Sequence, residues 1–342
     1  RWYLQTIFYG NNKEKFNMKK LLNIFIVSFA LVFSSSVFAN KIGVVYDSGG
    51  KFDKSFNELA FKTAERVKNE LGWQMVEFES SNDAQIEQGM RKIADRGATM
   101  IVGMGFAQAD AVAAVSADYP DIKFVAVDVC WLDDPNNNIY QACYKEHEGS
   151  FLVGMMAAMA SQSGTIGFVG GMDIPLIRKF QGGYEQGAQY VNPDIEVLAN
   201  MTGTTNEAWN NPTKGAELTK AQIDGGADVV YQAAGGTGIG VLQAAADAGI
   251  MGIGVDANQN WMHPGNMLTS MLKRLDLTIF AQAEALAAGT FEPGINILGL
   301  AEGGVGYATE DGMVTDEMAA AADAAAADIA SGALVVADWS QE

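Results

Sequence analysis

The 342-residue sequence predicts an α/β fold of two doubly wound parallel-sheet lobes, joined by a hinge around a central ligand cleft. Three observations carry that expectation. From Lys41 onward, short β-branched runs alternate with amphipathic stretches, the pattern of a parallel sheet covered on both faces. The alternation occurs as two similar series. About 300 residues remain once an apparent leader is set aside, a length that suits two domains.

In the first series, Ile42-Gly43-Val44-Val45-Tyr46 reads as a strand, 55–71 as a helix, 74–79 as a strand and 84–96 as a helix. Met100-Ile101-Val102-Gly103 and Phe124-Val125-Ala126-Val127 are further short apolar runs of strand length. A helix over 147–161 leads to the second series, with strands at Ile166-Gly167-Phe168-Val169, 195–200, Val229-Val230-Tyr231 and Gly252-Ile253-Gly254-Val255. Elements after Asn266 are expected to cross back between lobes. The first lobe is then 40–146 plus about 266–300, and the second is 147–265 plus about 301–342. The Ala-rich stretch from Met318 to Ile329 reads as a surface helix.

The segment from Met18 has the order of a secretory signal: Lys19-Lys20, an apolar stretch from Leu21 to Phe33, then Ser34 to Ala39 with small residues before a cleavage point after Ala39. Its apolar part is shorter than the roughly 20 residues that span a bilayer. Residues 1–17 read as upstream translation. No Cys lies near the cleavage point, so a lipid anchor is not expected and the periplasm is the expected compartment. Removing 1–39 takes away five basic residues (Arg1, Lys13, Lys15, Lys19 and Lys20) and one acid (Glu14), moving the net charge from −19 to −23. Such acidity excludes nucleic acid and anionic membrane surfaces as partners.

Cys130 and Cys143 flank the turn Asp133-Asp134-Pro135-Asn136-Asn137-Asn138, and in an oxidising compartment a bridge between them is the favoured reading; two buried free thiols are the alternative. A metal site is not expected, since neither Cys is in a C-x-x-C pair and His147 and His263 lack ligand spacing.

Ligands of doubly wound sheets bind outside the carboxyl ends of the strands. Here Asp47, Gly105-Phe106, Asp128, Gly235-Gly236 and Asp256 stand at those ends. Two facing lobes would gather them into one cleft.

From Lys41 to Asn57, Lys-Ile-Gly-Val-Val-Tyr-Asp-Ser-Gly-Gly-Lys-Phe-Asp-Lys-Ser-Phe-Asn, the chain closely resembles the basic membrane protein family of ABC-transporter substrate-binding proteins, which includes purine nucleoside receptors. The likeness recurs at Val125-Ala126-Val127-Asp128, from Lys145 to Gly154, at Gly167-Phe168-Val169-Gly170-Gly171, at Gly235-Gly236-Thr237-Gly238 and at Gly254-Val255-Asp256, covering nearly the whole chain after the leader. It implies a type I periplasmic-binding fold, no catalysis and no cofactor. It also implies a nucleoside ligand and an ABC permease with its ATPase as partners; a monomer is the default for a receptor that presents both lobes.

The resemblance places Phe52 and Trp209 on the two faces of a purine, each stack worth about 1–3 kcal/mol. It places Asp128 and Asn57 on the base edge, where a carboxylate accepts and an amide serves either direction. It assigns Asp256 to the ribose hydroxyls, and Lys273 with nearby Asp47 to the 5′ end of the sugar. Gly235 and Gly236 would let backbone amides approach closely. Asp53 reads equally as a helix N-cap and as a ligand contact.

Three other functions stand beside this one. A sugar-binding protein of the same fold would use one aromatic face where a base is clamped from both sides. An enzyme is disfavoured, because the run from Gly235 to Val241 lacks the third glycine of G-x-G-x-x-G and no nucleophile elbow or phosphate loop is present. A transcriptional regulator would need a basic DNA-binding segment where the leader stands.

Overall fold

The computed structural model describes residues 40–80 and 82–341; the expected leader, its cleavage point and the upstream residues lie outside them. Strand β1 (Lys41–Tyr46) is the buried starting strand of a six-stranded sheet whose spatial order is β11-β5-β4-β3-β1-β2. Its partners are β2 (Gln74–Glu79), β3 (Met100–Met104), β4 (Lys123–Val127), β5 (Ile139–Tyr144) and β11 (Gly294–Leu298), and every pairing is parallel. Helices α1 (Phe56–Leu71), α2 (Ile86–Asp95) and α3 (Ala109–Asp118) return the chain between these strands.

The second sheet repeats the order. It runs β12-β10-β9-β8-β6-β7, from β6 (Thr165–Met172), β7 (Glu196–Gly203), β8 (Val229–Ala233), β9 (Met251–Asp256), β10 (Met267–Lys273) and β12 (Val305–Tyr307). Only β12 is antiparallel. Both sheets therefore follow the doubly wound 2-1-3-4-5 order, with the direction of winding reversing beside the first strand. Helices α5 (Pro175–Val191), α6 (Pro212–Asp224) and α7 (Thr237–Asp247) cover the second sheet.

The chain crosses between lobes three times. The first crossing leads from β5 into α4 (Glu146–Ala160), the second from β10 into α8 (Leu275–Ala288), and the third from β11 to β12. Strand 267–273 thus joins the second sheet, whereas the sequence placed 266–300 in the first lobe. Parallel pairing of β10 with β9 decides this: the buried run from Met267 to Met271 extends the second sheet before the chain leaves. Helix α8 then packs on α1, with the Arg66 guanidinium 3.6 Å from the centre of the Phe280 ring. The crossings are tied together by Lys145 N donating to Leu298 O (3.1 Å), Arg274 N to Gly304 O (2.8 Å) and Leu300 N to the Glu148 carboxylate (2.8 Å).

One apolar cluster runs from Val44 and Tyr46 through Phe151 and Met156 of α4 to Phe168 and Tyr231 of the second sheet. Helix α4 is buried on nearly every side, and α5 crosses it so closely that a Cβ on Gly187 would collide with the Phe151 carbonyl. The Ala-rich terminus forms α9 (Asp316–Ser331), which is not wholly superficial: Met318, Ala322, Ala325 and Ile329 make a buried helical stripe. Cys130 and Cys143 form a disulfide with Cα atoms 5.9 Å apart, tying the end of β4 to β5. Among the described residues, no helix is long and apolar enough to cross a membrane.

Candidate functional site

The carboxyl ends of the two sheets face each other across a cavity lined by residues of both lobes. The lobes touch around it. Ser55 at the start of α1 donates its hydroxyl to Asp256 Oδ2 and is within 2.9 Å of Val255 O as well, while Gln259 Nε2 donates to Lys54 O (3.1 Å).

Seven of the expected site residues line this cavity: Asp47, Asp53, Asp128, Trp209, Gly235, Asp256 and Lys273. Each reaches it for a local reason. Asp128 stands one residue past β4 and Asp256 is the last residue of β9, both with φ of 63°, a left-handed conformation that Asp tolerates better than most residues. Trp209 closes a short helix over 206–209 and lies against Gly171, where any side chain would meet the indole. Gly235, with φ of 55°, turns the chain from β8 into α7.

Phe52 is not in the cavity. It is 60 % exposed, set edge-on to Phe61 with ring centres 5.7 Å apart and with the Lys51 ammonium 5.1 Å from its own centre. The loop from Gly49 to Lys54 turns it outward, and Phe56, first residue of α1, faces the cavity instead. Phe106 and Phe180 complete the aromatic wall. Phe56 lies in the same Lys41–Asn57 motif that drew attention to Phe52; Phe180 sits mid-helix in α5, where sequence periodicity reads as core.

Asn57 and Gly236 also stand back from the wall. Asn57 is fully buried, its amide donating to Asp47 Oδ1 (2.5 Å) and to Gly50 O (3.2 Å) and accepting from Asp47 N (3.1 Å), so it orients Asp47. A Cβ on Gly236 would lie 3.0 Å from Gly49 O of the opposite lobe, so glycine there permits the lobes' close approach. Asp53 is both cap and wall: its carboxylate accepts from the amides of Ser55 (2.9 Å), Asn57 (3.0 Å) and Glu58 (3.1 Å) at the head of α1. Burial pushes its pKa up, against the pull of those amides.

Lys273, expected beside Asp47, has other partners. Its ammonium lies 2.6 Å from Asp128 Oδ1 and 3.0 Å from Glu146 Oε1, with the rings of Phe56, Tyr144 and Phe180 around it. Burial works against the charge, but Asp128, Glu146 and Asp256 together hold its pKa above the usual lysine value. Burial raises Asp128, with Lys273 opposing; burial raises Asp256 to about 6, with Lys273 and Ser55 opposing. Glu146 escaped the sequence reading because only tertiary contact brings it to Lys273.

A cavity with aromatic faces, buried acceptors and walls from two hinged lobes can enclose a flat polar solute. Among the described residues, no cluster of three or more His, Cys, Asp or Glu side chains could hold a metal ion. Residues 39–338 match the model of the PnrA-like ABC-transporter substrate-binding protein family. The chain belongs to that family. Among relatives of this PnrA-like protein, basic membrane protein A2 of Borrelia garinii subsp. bavariensis is 34 % identical over 285 residues, covering 81 % of this chain and 82 % of the relative. An uncharacterized lipoprotein of Pyrococcus furiosus is 33 % identical, covering 80 % and 71 %. The solved structure of an ABC-transporter solute-binding protein from Aeropyrum pernix K1 superposes with a TM-score of 0.78 at 27 % identity, over 87 % of this chain and 94 % of that one.

Proposed function

We propose that this PnrA-like protein captures a nucleoside, with a purine base, by closing its lobes, and delivers it to an ABC permease and ATPase in the inner membrane. The observation that carries the reading is the pairing of an aromatic wall from both lobes, Phe56 and Phe106 from the first and Phe180 and Trp209 from the second, with Asp128 and Asp256 at equivalent strand ends. A base sandwiched by rings, with its polar edge toward one carboxylate and its ribose hydroxyls toward the other, matches that inventory.

The mechanism is a population shift. Open and closed arrangements interconvert about the three crossings, and a ligand stabilises the closed one because only there do both lobes touch it. Closure is what the permease reads. Micromolar affinity needs about −8 kcal/mol, within reach of two stacks and a few charge-assisted hydrogen bonds after ordering costs. The receptor acts as a periplasmic monomer released from its leader; membership of a solute-binding family supports a role in binding without catalysis.

Mass spectrometry of small molecules released from the purified, denatured protein tests the reading directly. A co-purified purine nucleoside is expected. A saturating sugar with no affinity for nucleosides in calorimetric titration would overturn it.

A further inference from the structure

Among the described residues, the cavity wall carries the carboxyl groups of Asp47, Asp53, Asp128 and Asp256 and one ammonium, that of Lys273. The one ammonium of the wall and the amides at the head of α1 are both engaged by the protein's own carboxyl groups, so neither offers an anionic ligand an uncompensated positive charge. Asp53 occupies the amides at the head of α1. Lys273 is matched first by Asp128 and then by Glu146, a residue with no exposed surface in the first turn of α4 that does not line the cavity.

Glu146 is itself held from behind. Its Oε2 lies 3.3 Å from the ammonium of Lys179 on α5, which also donates to Tyr144 O (3.0 Å) and stands 3.9 Å from Asp338. Asp128, Lys273, Glu146 and Lys179 thus form an alternating row of charges from the cavity to the hinge. The row has no net charge. Without Glu146, the cation of Lys273 would have Asp128 as its one ion-pair partner, with Asp256 acting from further off, and Asp128 is a carboxylate the proposed ligand would engage.

We infer that Glu146 is a positioning residue that sets specificity: by neutralising Lys273 from outside the cavity, it makes the site refuse anions and take uncharged or cationic solutes. Glu146 holds the ammonium from the hinge side and denies an incoming anion an uncompensated positive charge. Changing Glu146 to a neutral residue adds one net positive charge beside the cavity, and changing Lys179 to a neutral residue adds one net negative charge. The two changes should therefore move selectivity in opposite directions, which a loss of packing cannot do.

The test rests on the nucleoside reading and uses three probes: inosine, its 5′-carboxamide and its 5′-carboxylate, the last two nearly equal in size and different in charge. Calorimetric titration of the full chain gives the ratio of carboxamide to carboxylate affinity. The unaltered protein should favour the carboxamide. Glu146→Gln should reduce the ratio about tenfold and Lys179→Met should raise it by a few-fold, the scale of one charge acting through an effective dielectric of about 20. Equal losses for both probes, or a ratio that stays put in both variants while inosine still binds, overturn the inference alone. Should Glu146→Gln unfold, as thermal unfolding would reveal, Lys179→Met decides by the direction of its shift. If the unaltered protein binds none of the three probes, the nucleoside reading fails and takes the inference with it.

Discussion

The two lobes offer the same strand end twice and use it differently. Asp128 follows β4 and Asp256 ends β9, the fourth strand of each winding, and both take the same left-handed backbone and the same depth of burial. Asp128 is bound to a buried ammonium from the opposite lobe; Asp256 accepts one hydroxyl from the opposite lobe, that of Ser55. Equivalent backbones have thus been given unequal surroundings, one acid held in a buried ion pair and the other by a single hydrogen bond from a neutral hydroxyl. The difference comes from what the facing lobe brings: β10 delivers Lys273 to one acid, and the loop before α1 delivers Ser55 to the other.

The largest expected effect separates the two acids in stability. Asp128→Ala removes one partner of a buried ion pair and should cost about 3 kcal/mol in denaturant unfolding, whereas Asp256→Ala loses a single hydrogen bond and should cost about 1 kcal/mol. Equal costs would break the comparison. In binding, the order of interest reverses. Asp256→Ala should weaken ribosides about 10- to 100-fold and free bases far less, as expected for lost charge-assisted hydrogen bonds to ribose. Riboside and base titrations that fall together would remove the ribose role.

A smaller effect comes from pH. Burial holds the free Asp256 carboxyl near 6, and the proposed ribose contact needs its anion. Affinity should be level above about pH 7 and about tenfold weaker at pH 5, where roughly one tenth of the group is ionised. The unliganded fold follows the opposite sign. Between the unfolded value of 3.8 and the folded value of about 6 the native carboxyl keeps a proton the unfolded chain has lost, so this contribution favours the fold at low pH and is lost as pH rises through 6. Affinity that is flat across pH 5–7 would show that Asp256 does not accept from the ligand.

The smallest effect sharpens the picture of closure. Ser55→Ala removes one contact between lobes, and riboside affinity should fall about fivefold, a loss of about 1 kcal/mol, with unfolding stability nearly unchanged. An unchanged affinity would mean that the ligand, not Ser55, supplies all of the closing free energy around Asp256.

The chain by itself determined the two windings and the strand-end acids, and it favoured over two free thiols the cysteine bridge that the structure shows, because these depend on local periodicity and on neighbours close in sequence. Val44-Val45, Phe124 to Val127 and Gly252 to Val255 are short runs, bounded by turn residues, that read as buried strands, and the acids after them then stand at the rim. Which lobe receives 267–273, which aromatic turns inward and which acid holds the lysine were decided by tertiary structure alone. Phe52 and Phe56 differ by four positions and in sequence look alike; the outward turn of the loop from Gly49 to Lys54 separates them. Lys273 and Glu146 lie 127 residues apart, and their meeting depends on three crossings converging at one hinge. Periodicity reports which side of an element is buried, but a contact between elements is settled only when their packing brings the charges within about 3–4 Å of each other.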